Sequence, residues 1–213
     1  MQLHEQYRPQ TWSDVVGQDK AIATLAALEK RGLGGRAYWM SGLSGTGKTT
    51  IARLLAAEIA DDYAIDEIDA ETLTPTKIQE LARQMRCKTF GKGGWAVIVN
   101  ESHGLKAAVV RQLLNSLESI PQHAIWVFTT TLEGQAKVLF DKDDGGPLLS
   151  RCQRIELEHF GVARAYAQKL KAAAELENLD GQPIEVYEAL FHKHGGNMRA
   201  AYQEIEAGVM IKP

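Results

Sequence analysis

The chain has 213 residues, of which 45% are hydrophobic and 24% charged, and a formal net charge of -3. These values fit an ordinary globular protein and exclude one that binds nucleic acid through an overall basic surface. Its two cysteines form no CxxC pair, and no run approaches the roughly 20 apolar residues of a membrane span, so we expect a cytoplasmic protein without a disulfide framework or zinc site.

Up to His159 the sequence alternates between short apolar runs and helical patterns. After a polar N-terminal arm over residues 6–18, helices are predicted at residues 20–31, 48–60, 76–85 and 105–117. The apolar runs predict strands at residues 37–41, 64–69, 95–99, 124–129 and 155–157. This alternation predicts an α/β fold with a parallel sheet and helices on both faces.

The last part of the chain has helical patterns only, at residues 162–176, 184–192 and 197–209. We therefore predict two domains. Residues 1–159 form an α/β core with the arm, and residues 160–213 form a small all-helical lid domain.

A phosphate-binding loop follows the first predicted strand. Residues 42–49 read GLSGTGKT and match G-x-x-x-x-G-K-[ST] in full, between a strand and a helix as this motif requires. The glycines let backbone N–H groups converge on phosphate, Lys48 should reach the β- and γ-phosphates, and Thr49 should ligate Mg²⁺. The predicted nucleotide-binding residues here are Gly42, Ser44, Gly45, Thr46, Gly47, Lys48, Thr49 and Thr50.

The third predicted strand ends in Asn100-Glu101-Ser102-His103. Glu101 stands where many P-loop ATPases place the carboxylate that polarises the attacking water. Asn100 stands where they place a metal-side aspartate, and an amide supplies no charge. We therefore predict catalytic roles for Glu101 and Asn100, and a metal-side role for Asn100 together with Thr49. We also predict that hydrolysis is slow and that Asn100→Asp speeds turnover. His103 is interpreted as a structural histidine.

Several ordered motifs together resemble the subunits of DNA sliding-clamp loaders. They are the arm YRPQTWSDVVGQ, the P-loop, the stretch EIDA at residues 67–70, the NESH box and Ser150-Arg151-Cys152. These motifs cover nearly the whole chain. The family is of the AAA+ type and includes the bacterial gamma/tau subunit and the small subunits of replication factor C. Its members carry a further collar domain, so this chain is expected to be either a shortened or a natural short form.

The resemblance implies an adenine pocket lined by Tyr7, Arg8, Pro9 and Val16, which favours ATP. It also implies that Arg199 is sensor 2, which brings the lid onto the subunit's own γ-phosphate. The alternatives are that Tyr7 and Pro9 pin the arm to the protein and that Arg199 is solvated.

Two further roles follow from the resemblance. Thr131 would be sensor 1, placed to contact the γ-phosphate or the attacking water, with Thr130 in that role if the register slips by one. Arg151 would be an arginine finger that acts in trans on a neighbouring subunit's ATP. Alternatively, Thr131 bonds its own backbone and Arg151 forms an intrachain salt bridge. Cys152 is interpreted as a small buried residue.

The implied partners are other clamp-loader subunits, a sliding clamp and primer–template DNA. DNA phosphates would meet the helix starts at Thr76, Lys77 and Lys106. Two other functions remain open: an ATP-binding module that hydrolyses weakly or not at all, and a branched-DNA motor. The acidic stretch at residues 141–146 lacks the ligands of a calcium loop, so no calcium is expected.

Overall fold

The computed structural model describes residues 1–131, 145–158 and 161–211. It contains two compact units. The sheet unit comprises Thr24–Ser41 and Lys48–Glu156, and the helical unit comprises Met1–Ala23, Gly42–Gly47 and the chain from Leu157 onward. The predicted boundary at 159/160 and most of the acidic stretch lie outside the described residues.

The predicted helices and strands occur in the predicted order, and two short helices, Leu3–Gln6 and Gly145–Ser150, were not predicted. The strands are β1 (Arg36–Ser41), β2 (Ile65–Asp69), β3 (Trp95–Asn100), β4 (Ala124–Thr130) and β5 (Cys152–Glu156). The helices are α1 (Leu3–Gln6), α2 (Asp19–Glu29), α3 (Lys48–Ile59), α4 (Pro75–Gln84), α5 (Ala107–Leu117), α6 (Gly145–Ser150), α7 (Ala163–Leu176), α8 (Ile184–Lys193) and α9 (Met198–Glu206). None of the helices that the structure describes is long and apolar enough to cross a membrane.

The strands form one sheet in the order β2-β3-β4-β1-β5, with every pairing parallel. Val97 and Val99 of β3 belong to a cluster with residues of α4 and α5, whereas Ile98 between them is buried on the other face. The helix α3 packs on β3 and β4 with side chains outside that cluster, such as Leu55. The predicted α/β fold is therefore confirmed, with both faces of the sheet covered.

The helical unit has its own core. Leu170 of α7, Tyr187 of α8 and Ile205 of α9 are buried together with other apolar residues of these helices. The N-terminal arm and the residues before it belong to this unit. Leu3 is buried in the same core and its N–H donates to Glu206, and Tyr7 and Val16 of the arm pack against that core. The sequence grouped the arm with the core domain, since hydrophobic patterns do not show which unit a short arm packs against.

Most elements begin or end one to three residues away from their predicted bounds. The last strand begins earlier, at Cys152, because only Ile155 in this edge strand is buried and the apolar signal is weak. The helix predicted from residue 105 begins at Ala107, after a 3₁₀ turn at Ser102–Gly104. The N-terminal region, for which no helix was predicted, forms α1 at the start of the arm and a 3₁₀ turn at Trp12–Asp14 within it.

Candidate functional site

A polar cluster lies where β3 and β4 end. These strands are parallel and pair Val99 with Phe128, so Asn100 and Thr129 follow on adjacent strands at the same edge. The Asn100 Oδ1 accepts hydrogen bonds from Thr129 Oγ1 at 2.9 Å and from Thr49 Oγ1 at 3.3 Å. Thr49 is the second residue of α3, so the sheet unit joins the predicted metal-side residues Thr49 and Asn100 directly.

The other end of the Asn100 amide contacts β2. Its Nδ2 donates to Glu67 Oε1 at 2.7 Å, and Glu67 accepts from Arg53 Nε on α3 at 2.7 Å. A carboxylate only accepts hydrogen bonds, so the amide nitrogen must face Glu67. The amide oxygen is thereby directed to Thr49 and Thr129.

Glu101 lies immediately after β3 in a left-handed conformation, with φ 49° and ψ 48°. A non-glycine residue in this region is uncommon, and such residues concentrate at functional sites. Its side chain is 58% exposed and its Oε2 lies 3.5 Å from Nδ1 of His103. The backbone therefore turns sharply at the predicted water-polarising residue and presents its carboxylate to solvent.

The predicted sensor 1 lies one residue past the end of β4. Thr131 is partly exposed, and the fallback Thr130 is fully buried with Oγ1 3.4 Å from His103 Nδ1. The sequence prediction missed Thr129, which bonds Asn100, and also Glu67 and Arg53. Counting the last residues of two adjacent parallel strands would have found Thr129, whereas nothing local marks the contact of Glu67 with Asn100.

The oxygen atoms of this cluster can hold Mg²⁺ only if the phosphates of a bound nucleotide supply further ligands. Among the described residues no group of three or more His, Cys, Asp and Glu side chains could hold a metal ion by itself. Mg²⁺ is commonly held by few protein oxygens together with substrate phosphates. The hydroxyl of Thr49 beside the amide oxygen of Asn100 fits that arrangement, with one carboxylate fewer than usual.

The P-loop turn is described within the helical unit. Gly45 and Gly47 have φ values of 76° and 95°, which favour glycine. A Cβ at Gly45 would lie 2.1 Å from Oδ1 of Asn197, the residue that caps the start of α9. The turn thus packs against the helix that carries the predicted sensor 2, Arg199, whose side chain is exposed. Lys48, directly after this turn in sequence, is 8% exposed.

The arm residues predicted for the adenine pocket are held by the helical unit. Tyr7 stacks on Tyr202 with ring centroids 6.2 Å apart, and its hydroxyl donates to Glu177 at 2.7 Å. The hydrogen bond to Glu177 also raises the pKa of Tyr7. Val16 packs against the same core, and Arg8 pairs with Glu5 through its Nε at 3.0 Å. The arm is pinned, which is compatible with adenine binding and also explains these residues without it.

The end of the arm docks through two residues to which the sequence prediction gave no role. Gly17 has φ 67°, and a Cβ there would lie 3.0 Å from Cβ of Val162. Gln18 is buried, donates from Nε2 to the Glu158 carbonyl at 2.8 Å and accepts from the Glu158 N–H at 2.8 Å. The Gln18 side chain thus bonds both backbone groups of Glu158 and ties the end of the arm to that segment. In the sequence, the Gly-Gln pair directly before a predicted helix could have indicated this contact.

Arg151 forms an intrachain salt bridge, one of the two interpretations of the sequence. Its Nη2 lies 2.7 Å from Glu118 Oε1, and its Nη1 donates to the Pro147 carbonyl at 3.1 Å. Both side chains remain partly exposed, so the pair is weak and can exchange with another acceptor. Burial raises the pKa of Cys152 to about 12, which supports a protonated thiol and not a nucleophile.

A family model described as "ATPase family associated with various cellular activities (AAA)" matches residues 38–156, more than half of the 213 residues. The chain belongs to the AAA family of ATPases. The matched range runs from β1 to β5 and contains the P-loop, the strand ends and Arg151.

Two curated relatives are DNA polymerase III subunits. The tau subunit of Escherichia coli is 29% identical over 183 residues, which is 75% of this chain and 27% of tau. The gamma subunit of Buchnera aphidicola is 26% identical over 233 residues, which is 98% of this chain and 62% of gamma. The resemblance to the bacterial gamma/tau subunit is therefore confirmed. The chain spans less than two thirds of either relative.

Among solved structures, a RuvB variant from Thermotoga maritima aligns with a TM-score of 0.72 and 20% identity, covering 94% of this chain and 65% of that one. At that identity the likeness concerns the fold alone. It agrees with the parallel sheet described above and carries no argument about what this chain acts on.

Proposed function

We propose that this AAA chain binds ATP with Mg²⁺ and hydrolyses it slowly as a subunit of a clamp-loader-like assembly. The observation that carries the proposal is the contact of Thr49 with Asn100 at the end of β3, with Glu101 turned outward immediately after it. A P-loop hydroxyl joined to the strand that ends in a candidate water-polarising glutamate is the arrangement that phosphoryl transfer to water needs.

Bound ATP with Mg²⁺ would supply the transferable phosphoryl group and neutralise its charge. The P-loop backbone and Lys48 would hold the phosphates, and Thr49 with Asn100 would hold the metal side. Glu101 would accept a proton from the attacking water. Thr131 would orient that water, and Arg199 would bind the γ-phosphate.

Assembly would complete the site, since Arg151 is proposed to act in trans on the ATP of a neighbouring subunit. Its partly exposed pair with Glu118 leaves it able to exchange partners. The similarity to DNA polymerase III gamma and tau subunits supports a place in replication, with other subunits, a sliding clamp and primer–template DNA as partners.

One observation favours a second candidate, an ATP-binding module that does not hydrolyse. Asn100 brings an amide where a carboxylate would help to hold the dication, and its neighbour Glu67 is already paired with Arg53. Such a module would use bound ATP to shape a protein interface.

Steady-state ATP turnover, with and without primed DNA, together with molecular mass in solution, tests the proposal. We expect ATP to raise the melting temperature, turnover to be slow, and DNA to accelerate it in an oligomer. Lys48→Ala should abolish the ATP-dependent stabilisation, because it removes the lysine charge that faces the phosphates. ATP binding without turnover in any assembly would favour the second candidate. A Lys48→Ala protein stabilised by ATP as well as the wild type would refute the P-loop assignment.

A further inference from the structure

Three side chains from three elements form a polar chain that ends at Asn100. Arg53 of α3 donates to Glu67 of β2 through Nε at 2.7 Å and through Nη2 at 3.1 Å. Glu67 accepts from the Asn100 amide at 2.7 Å, and the Asn100 oxygen accepts from Thr49 and Thr129. All these residues lie within the sheet unit.

The direction of each hydrogen bond follows from chemistry. Guanidinium groups only donate and carboxylates only accept, so Glu67 can receive Asn100 only through its N–H. If the amide were reversed, its oxygen would face the Glu67 carboxylate and its nitrogen would face Thr49. The hydroxyl of Thr49 would then have to accept from Asn100, which would use a lone pair that a metal ligand needs.

We infer that Glu67 is a positioning residue for Asn100: its carboxylate, held by Arg53, fixes the amide so that the oxygen takes the Thr49 proton and leaves the Thr49 lone pairs for Mg²⁺. Glu67 has this role only if the chain binds ATP with Mg²⁺ as proposed above. It acts through Asn100 and not on the metal itself. The chain therefore carries on β2 the carboxylate that is absent from the end of β3.

This hydrogen bond changes the consequence expected for Asn100→Asp. From the sequence alone, the new carboxylate should improve the metal side and speed turnover. In the structure it would meet Glu67 within hydrogen-bond distance, so one of the two groups must take up a proton or move away. The gain is expected only when Glu67 is also replaced by glutamine, whose N–H can donate to the new aspartate.

The first experiment compares Glu67→Ala with Asp66→Ala in the full chain. Asp66 is the preceding residue of β2, and its side chain points to the opposite face of the sheet. The readout is the side-chain amide signal of Asn100 in a ¹⁵N-labelled protein, identified by its disappearance in Asn100→Asp. Glu67→Ala should shift this signal and raise the Mg²⁺ concentration for half-maximal turnover by about tenfold, as removal of such supporting partners commonly does.

Asp66→Ala should leave both quantities unchanged. The melting temperature should change little in either variant, because Glu67 and Arg53 are 29% and 45% exposed. An Asn100 signal unmoved by Glu67→Ala would overturn the assignment, whether or not the protein turns over ATP. A chain that binds no ATP would instead end the proposed function, with the amide signal still reporting on Glu67.

The second experiment transposes the two groups. Asn100→Asp and Glu67→Gln should each raise the Mg²⁺ requirement, whereas the double variant should return it to the wild-type value or below. Effects of the single variants that simply multiply in the double variant would show that the two side chains act independently, and the assignment would be wrong.

Discussion

The sheet unit and the helical unit each contribute predicted nucleotide-site residues, but they hold them differently. In the helical unit, Tyr7 and Val16 pack against the core of α7, α8 and α9, so their side chains also stabilise the fold. In the sheet unit, Asn100 is the last residue of β3 and Thr49 lies in the first turn of α3, and hydrogen bonds hold both side chains. The predicted nucleotide-site residues therefore include some that also form part of a hydrophobic core and some that do not.

The largest expected effect concerns Arg151, which lies in the sheet unit with its side chain partly exposed. Arg151→Ala should lower turnover by about 10³-fold while leaving the melting temperature near that of the wild type, since arginine fingers contribute at least that much and the pair with Glu118 is exposed. Mixing it with Lys48→Ala protein should restore turnover, because an intact finger then faces an intact P-loop. The measurement is ATPase activity at varied mixing ratios.

Arg154→Ala is the matched control for that experiment, since Arg154 is an exposed arginine three residues further along the chain. It should leave turnover unchanged. Absence of rescue at every ratio, with both proteins folded and associated, would mean that Arg151 serves its own chain through Glu118.

A smaller effect is expected on the stability of the helical unit. Tyr7→Ala should lower the free energy of unfolding by about 2 kcal/mol, because it removes a partly buried ring stacked on Tyr202. Tyr7→Phe removes only the bond to Glu177 and should cost about 1 kcal/mol. Arg199→Ala, an exposed change in the same unit, should stay within about 0.5 kcal/mol. Denaturant titration measures all three.

If Tyr7→Ala were as stable as the wild type, Tyr7 would not stabilise the helical unit, and this difference between the two units would be wrong. If Tyr7→Phe binds ATP like the wild type while Tyr7→Ala does not, the ring and not the hydroxyl serves the adenine pocket.

The smallest expected effect concerns DNA. Charge reversal at Lys77 and Lys106 should weaken binding to primed DNA and flatten its salt dependence, by about 0.9 in the logarithmic slope for each DNA phosphate that is no longer neutralised. Lys77 lies in the first turn of α4 and pairs with Glu80 at 3.2 Å, which moderates its effect, and Lys106 precedes α5. Lys30→Glu, an exposed charge reversal elsewhere in the sheet unit, is the control. An unchanged salt slope would remove both lysines from the DNA interface.

Much of the fold was predictable because its signals are local. The continuous apolar run from Trp95 to Val99 is typical of a buried parallel strand, and β3 ends one residue later. The edge strand β5 was misplaced by three residues at its start, since only one of its side chains is buried. The start of α5 lies two residues later than predicted, because a 3₁₀ turn at Ser102–Gly104 precedes it and such turns carry no periodic pattern.

The sequence by itself determined the P-loop, the order of strands and helices, and the candidates Asn100, Glu101 and Arg151, because each depends on neighbouring residues in one short motif. Only the tertiary structure decided their partners. Glu67 bonds Asn100 and Glu118 pairs with Arg151, each across 33 residues of chain. Which polar side chains contact one another depends on how strands and helices are placed in three dimensions. A single polar residue on a strand or helix has no periodic pattern that indicates its distant partner.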